Sequence, residues 1–197
     1  ATNDKLYLGI SQLPQVYTFT VLTAIFGDIP YSDALQLSSI LTPAYDKQED
    51  IYNDLLVQVD NGIANVTTNA GSNPGTADVI YGGSATKWAA FGNSLKLRLL
   101  NHLSLRRPAI ALTFLQTNPT LISNTANDAK IVFGISASNS NPIYQFDVLS
   151  GRKDNAVANT LVNKMKSLSD PRIAVYFKPV VNGALAGQVL GNIPGDD

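Results

Sequence analysis

The chain has 197 residues, with 14 lysines and arginines against 15 aspartates and glutamates, so it carries neither a basic field for nucleic acid nor an acidic tail. Cysteine is absent, which excludes disulfides, thiolate nucleophiles and cysteine-containing zinc sites. At 45% apolar residues, one domain over residues 1–197 with a real core is expected rather than a disordered chain, since chains of this size bury roughly 70% of their unfolded surface.

The opening Ala1-Thr2-Asn3 lacks the charged and apolar regions of a signal peptide. The best apolar runs, Val16–Phe26 and Pro108–Leu115, fall short of the roughly 20 residues that span a bilayer. The expectation is a soluble piece with any export signal upstream. The ending Asn192 to Asp197 has no closing helix or strand pattern, which points to a piece of something longer.

In chain order, Gln12–Phe26 favours helix over strand despite its β-branched residues, and Gly27-Asp28-Ile29-Pro30 ends it. Tyr31 to Tyr45 reads as an irregular connection. Asp46 is expected to cap the next helix, with Glu49 completing a capping box. That helix should run to about Val66, burying Tyr52, Leu56, Val59 and Ile63 and leaving Asp50, Asn53, Asp54 and Asp60 toward water.

Thr67–Thr76 is a loop, and Val79-Ile80-Tyr81 leads through Gly82-Gly83 into a helix over Ala85–Leu103. Trp88, Phe91, Leu95, Leu99 and His102 form its stripe, widened by Leu97, Leu100 and Leu103. Together the two long helices predict a helical hairpin. A short helix follows over Pro108–Gln116. Alternation at Ile131, Phe133 and Ile135, and again at Ile173, Val175 and Phe177, predicts two short strands. Between them Val157, Leu161, Met165 and Leu168 mark an amphipathic helix closed by Asp170-Pro171.

Four local patterns stand in register: Phe26-Gly27-Asp28-Ile29-Pro30-Tyr31-Ser32-Asp33-Ala34; Pro43 to Tyr52; Asp78 to Gly83 running into Lys87-Trp88 and on to Leu99; and Ser167-Leu168-Ser169-Asp170-Pro171-Arg172. In this order and spacing the chain resembles, from about Leu22 to Phe177, the middle portion of SusD/RagB-type outer-membrane nutrient-binding lipoproteins. Gly92 departs from the alanine frequent there, at about 1 kcal/mol of helix propensity.

The resemblance implies a mainly α fold with tetratricopeptide-like helix pairs and a few short strands. It implies a lipid-anchored, cell-surface protein that sits as a lid over a SusC-like TonB-dependent transporter. Such a protein binds oligosaccharide or peptide, does no chemistry and uses no cofactor.

Other chemistries find less support. Ser84 and Lys87 fit a Ser-x-x-Lys pattern, but no Lys-Thr-Gly or Ser-Asp-Asn element accompanies them, so Ser84 is read as a helix cap and Lys87 as solvated. His102, the only histidine, is expected to be a partly buried, hydrogen-bonded residue near a helix C-terminus. Asp28 with Asp33 could serve as a glycosidase pair, but Asp28 is better suited to bonding the backbone of its turn. Asp50 and Asp54 lie one helical turn apart on a solvated face.

Calcium ligation by aspartates stays open, without an EF-hand pattern. The glycine-rich stretches match no phosphate cradle. Sugar binding needs aromatic faces beside amides or carboxylates, and Tyr31, Tyr45, Tyr81, Asn139, Asn141 and Tyr144 in expected loops are the candidates. The alternatives are a helical-repeat scaffold for protein partners, a peptide-binding family member, or a hydrolase completed by residues elsewhere.

Overall fold

The computed structural model describes residues 4–36, 39–151 and 157–179. The chain divides into two compact units, Ala1–Val132 and Phe133–Asp197. The opening tripeptide and the ending Asn192–Asp197 lie outside the described residues.

Three long helices build the first unit: α1 (Lys5–Phe26), α2 (Gln48–Thr68) and α3 (Ala85–His102). Each runs antiparallel to the next. The start of α1 meets the end of α2 where the Leu6 N–H donates to the Ala70 carbonyl at 3.1 Å. Lys96 of α3 pairs with Asp60 of α2 at 2.6 Å. Leu13, Ile51, Val59 and Leu99 are fully buried between the helices, each stabilising the unit by about 2 kcal/mol.

The expected hairpin of α2 and α3 is present, but α1 completes a three-helix layer. It starts two turns before Gln12 and passes through Pro14. Asp4 explains the early start, because its Oδ1 accepts the Ser72 N–H at 2.8 Å and ties the α1 start to the loop after α2.

Close packing depends on glycines at the helix contacts. A Cβ on Gly9 would lie 2.8 Å from the Gly62 carbonyl oxygen and from the Val66 nitrogen. A Cβ on Gly92 would meet Ile63 Cγ1 at 2.6 Å. Gly92 thus sits where α3 approaches α2, a packing reason that propensity alone does not reveal.

Burial on α2 differs from the expected stripe. Ile51, Leu55, Val59, Gly62 and Val66 are buried with Tyr52, whereas Leu56 and Ile63 are partly buried flanks. Helices on both sides of α2 rotate its buried face away from a single stripe. On α3 the stripe holds at Trp88, Leu95 and Leu99, but His102 is exposed.

The cap of α2 also needs correction. Lys47 occupies the N-cap position without a side-chain bond. Asp28, from the preceding loop, accepts the Gln48 N–H at 2.8 Å instead. Ser84 does hold the N-cap position of α3, yet its hydroxyl meets Thr86 Oγ1 at 3.2 Å rather than the backbone.

Helix α4 (Ile110–Gln116) begins after Pro108 rather than on it. The loop that follows lies along α3, where Asn93 Nδ2 donates to the Thr120 carbonyl at 3.1 Å and the Ile122 N–H donates to Ser94 Oγ at 2.9 Å.

The second unit holds α5 (Pro142–Tyr144), running on into a helical turn over Gln145–Leu149, then α6 (Asn159–Ser167) and α7 (Ile173–Tyr176). On α6 the buried positions are Val162 and Met165, while Leu161 and, just past the helix end, Leu168 are exposed. The Asp170-Pro171-Arg172 motif forms a clamp in which the Arg172 N–H and Nε both donate to Asp170 Oδ1, at 3.0 and 2.9 Å. That guanidinium holds the Asp170 carboxyl down at about 2.

Neither expected strand forms. Residues 131–135 have only an isolated bridge between Gly134 and Ser140. Ile173–Tyr176 is a helical turn, with the Tyr176 N–H donating to the Arg172 carbonyl at 2.9 Å. Alternation makes a strand only where a partner supplies ladder bonds. Among the described residues no such partner lies beside either segment.

Candidate functional site

A cleft of the first unit, about 530 Å³, opens between α1, α2 and the loop that joins them. It is built on the Phe26 to Ala34 motif. Gly27 ends α1 at φ +76°, its carbonyl accepting the Thr23 hydroxyl at 2.8 Å. The chain then turns back onto the α2 start, where the Asp46 N–H donates to the Ile29 carbonyl at 3.0 Å.

Aspartates clasp this loop. Asp46 Oδ2 accepts the N–H groups of Tyr31 and Ser32 at 2.9 and 2.8 Å, and its Oδ1 accepts the Ser32 hydroxyl at 2.8 Å. The backbone and hydroxyl bonds from Ser32, aided by the Tyr31 N–H, hold this carboxyl below the ordinary aspartate range. Asp33 accepts the Ala44 N–H at 3.2 Å. Asp28 and Asp33 both serve backbone groups, so the motif is a clasp rather than a carboxylate pair.

Tyr31 is fixed in the cleft wall. Its ring stands edge-on to Phe19, centroids 4.8 Å apart, and its hydroxyl donates to Asp54 Oδ2 at 2.5 Å. Burial first, then the Asp54 bond and charge, push the Tyr31 hydroxyl well above the ordinary tyrosine value. Asp54, expected in water, is therefore a partly buried acceptor.

Gln12, Gln15, Asp50 and Gln58 also line the cleft. Gln12 is oriented by Asn65, whose Nδ2 donates to its Oε1 at 2.7 Å. The cleft offers an aromatic and apolar side, amides that donate and accept, and carboxylates that accept, without a cationic residue in its lining.

The other candidates lie elsewhere. Tyr45 is exposed. Tyr81 belongs to the core: its ring stands edge-on to Trp88 at 5.2 Å, and its hydroxyl donates to the Asn127 carbonyl at 2.8 Å. Beside it Asp78 accepts Trp88 Nε1–H and the Gly83 N–H on Oδ2, at 2.7 and 2.8 Å. Tyr81 is not carried into the site.

Asn139, Asn141 and Tyr144 fall together in the second unit. Asn139 Oδ1 accepts the Ser136 hydroxyl at 2.6 Å, and Asn141 caps α5 by accepting the Ile143 N–H at 2.8 Å. Tyr144 is half-buried.

Lys87 Nζ donates to the Ala126 carbonyl at 3.3 Å, so it is engaged away from Ser84. His102 Nδ1 lies 3.1 Å from the Tyr52 hydroxyl at the end of α3. Among the described residues no three His, Cys, Asp or Glu side chains gather as a metal site. The sequence reading missed Gln12, Gln15 and Gln58. The signal was present, since Asp50, Asp54 and Gln58 recur every four residues on one face of α2, but a polar stripe is ordinarily a solvated one.

A family model described as SusD-like, "Starch-binding associating with outer membrane", matches residues 1–196. Among solved structures, a SusD homolog from Bacteroides uniformis superposes with a TM-score of 0.76 at 30% identity, over 94% of this chain and 38% of its own. A SusD homolog from Bacteroides fragilis gives 0.74 at 29% identity, over 90% of this chain and 39% of its own. A chitin-binding protein shares the fold, with a TM-score of 0.73 at 24% identity over 96% of this chain and 42% of its own. No curated protein matches. The chain thus spans about two fifths of the length of these structures, and over that span it belongs to the SusD-like family.

Proposed function

We propose that this chain is part of a non-catalytic, cell-surface nutrient-binding protein whose ligand is an oligosaccharide, delivered to a SusC-like TonB-dependent transporter in the outer membrane. The observation that carries this reading is the family match over residues 1–196. A relative of the same fold named as chitin-binding agrees with a glycan ligand.

Within this chain the cleft beside Tyr31 is the proposed contact. A sugar presents C–H faces and hydroxyls, and the cleft meets the first with Phe19 and Tyr31 and the second with Gln15, Asp50 and Gln58. A lining of amides and aspartates without a cation favours neutral sugars. Tyr31 is already oriented by Asp54, which lowers the entropy lost on binding.

The test is binding of the intact secreted protein, without lipid, to a panel of neutral glycans and peptides by affinity electrophoresis and titration calorimetry, with product analysis alongside. Saturable binding to one glycan class and unchanged glycan is the expected result. Turnover that disappears on mutating Ser84 or an aspartate pair would refute it.

A further inference from the structure

A second cleft of the first unit, about 420 Å³, opens between the first turns of α2 and the end of α3. Its charge is opposite to that of the cleft beside Tyr31. His102, Arg106 and Arg107 line it against a single carboxylate, Glu49.

The side chains here are held in a receptive arrangement. Arg107 Nη2 donates to Asn53 Oδ1 at 2.8 Å, a neutral partner that orients the guanidinium without cancelling its charge. Arg106 is exposed and has no side-chain hydrogen bond among the described residues. The His102 ring is oriented through Nδ1 by the buried Tyr52 hydroxyl at 3.1 Å, which leaves Nε2 free of a partner among the described residues. Arg98 lies over the Tyr17 ring at 5.5 Å rather than in the cleft, and its charge acts on the Tyr52 hydroxyl against the larger upward push of burial.

We propose that this cleft holds an oxyanion, either a sugar carboxylate or a phosphate group, between Arg106, Arg107 and His102. Guanidinium groups match the planar, paired oxygens of both anions, and an imidazole N–H supplies a third donor. Two guanidinium charges lining one concavity against the single Glu49 carboxylate are stabilised by a bound counter-charge. The site is separate from the cleft beside Tyr31 and does not rest on the neutral-glycan reading.

Because His102 is the only histidine, its ring protons give one assignable pair of NMR signals. The intact protein is titrated near neutral pH with inorganic phosphate, with galacturonate, and with galactose, which differs from galacturonate by the carboxylate. Saturable displacement of the His102 signals by phosphate or galacturonate, with none by galactose, is the expected result, and the preferred anion identifies the source. Arg106→Gln, at an exposed position, should leave the circular dichroism unchanged and weaken the anion by about tenfold or more. The proposal is overturned if neither anion gives saturable displacement, if galactose displaces the signals equally, or if Arg106→Gln binds as the wild type does. Neutral-glycan binding is read independently through Gln58, so loss of one site leaves the other measurable.

Discussion

Replacing Gly9 by alanine should destabilise the chain by about 2 kcal/mol, although alanine is the better helix former. The substitution gains about 1 kcal/mol of propensity in the second turn of α1. Against this, the new methyl would lie 2.8 Å from both the Gly62 oxygen and the Val66 nitrogen, and 2.6 Å from Val66 Cγ1. Two of those atoms are backbone, and Val66 is 0% exposed, so no side-chain rotation relieves the contact. The α1 and α2 axes must separate, which places the overpacking cost near about 3 kcal/mol, the upper end of its usual range.

Gly92→Ala provides the internal comparison. Its methyl would meet Ile63 Cγ1 at 2.6 Å and Leu13 Cδ2 at 3.1 Å, both side-chain atoms, and Ile63 is only partly buried. An overpacking cost of about 1 kcal/mol then offsets the propensity gain and leaves stability nearly unchanged. Equilibrium urea unfolding followed by far-UV circular dichroism measures both, with an unchanged denaturant slope confirming that only stability moved. A Gly9→Ala protein as stable as the wild type, or less affected than Gly92→Ala, would refute the reasoning.

Asp28→Ala should cost about 1 kcal/mol by removing the cap on the Gln48 N–H, whereas Glu49→Ala should fall within about 0.5 kcal/mol of wild type, and the same urea transitions compare them. Burial opposes ionisation of Asp78, but bonds from Trp88, Gly83, Tyr81 and Ile80 outweigh it and hold the carboxyl below its ordinary value of 3.8. Its stabilisation is therefore complete above that value and is lost as pH falls below it, so Asp78→Asn should flatten the decline of the urea midpoint with acidification in that range. Asp78→Ala, which leaves the Trp88 indole N–H without its acceptor, should cost about 3 kcal/mol at neutral pH. Gln58→Ala should weaken glycan binding by about 1 kcal/mol in calorimetry with an unchanged unfolding midpoint, and undiminished affinity would remove Gln58 from the site.

The sequence by itself determined the helices whose signal is local. Period and end signals set most of α2 and α3, because a helix closes its hydrogen bonds within its own segment. The four motifs in register also carried the family.

Tertiary structure decided what depends on distant partners. The start of α1 at Lys5 rests on Asp4 meeting Ser72, and the α2 cap comes from Asp28, twenty residues before Gln48. Both alternating segments lacked a neighbouring strand among the described residues and took other conformations. The Tyr31 cleft was half legible: the tyrosine stood in a motif, whereas the polar face of α2 became a wall only when α1 and the joining loop closed over it. Spacing along a chain fixes which residues share a face, but which face meets water, another helix or a ligand is fixed by what packs against it.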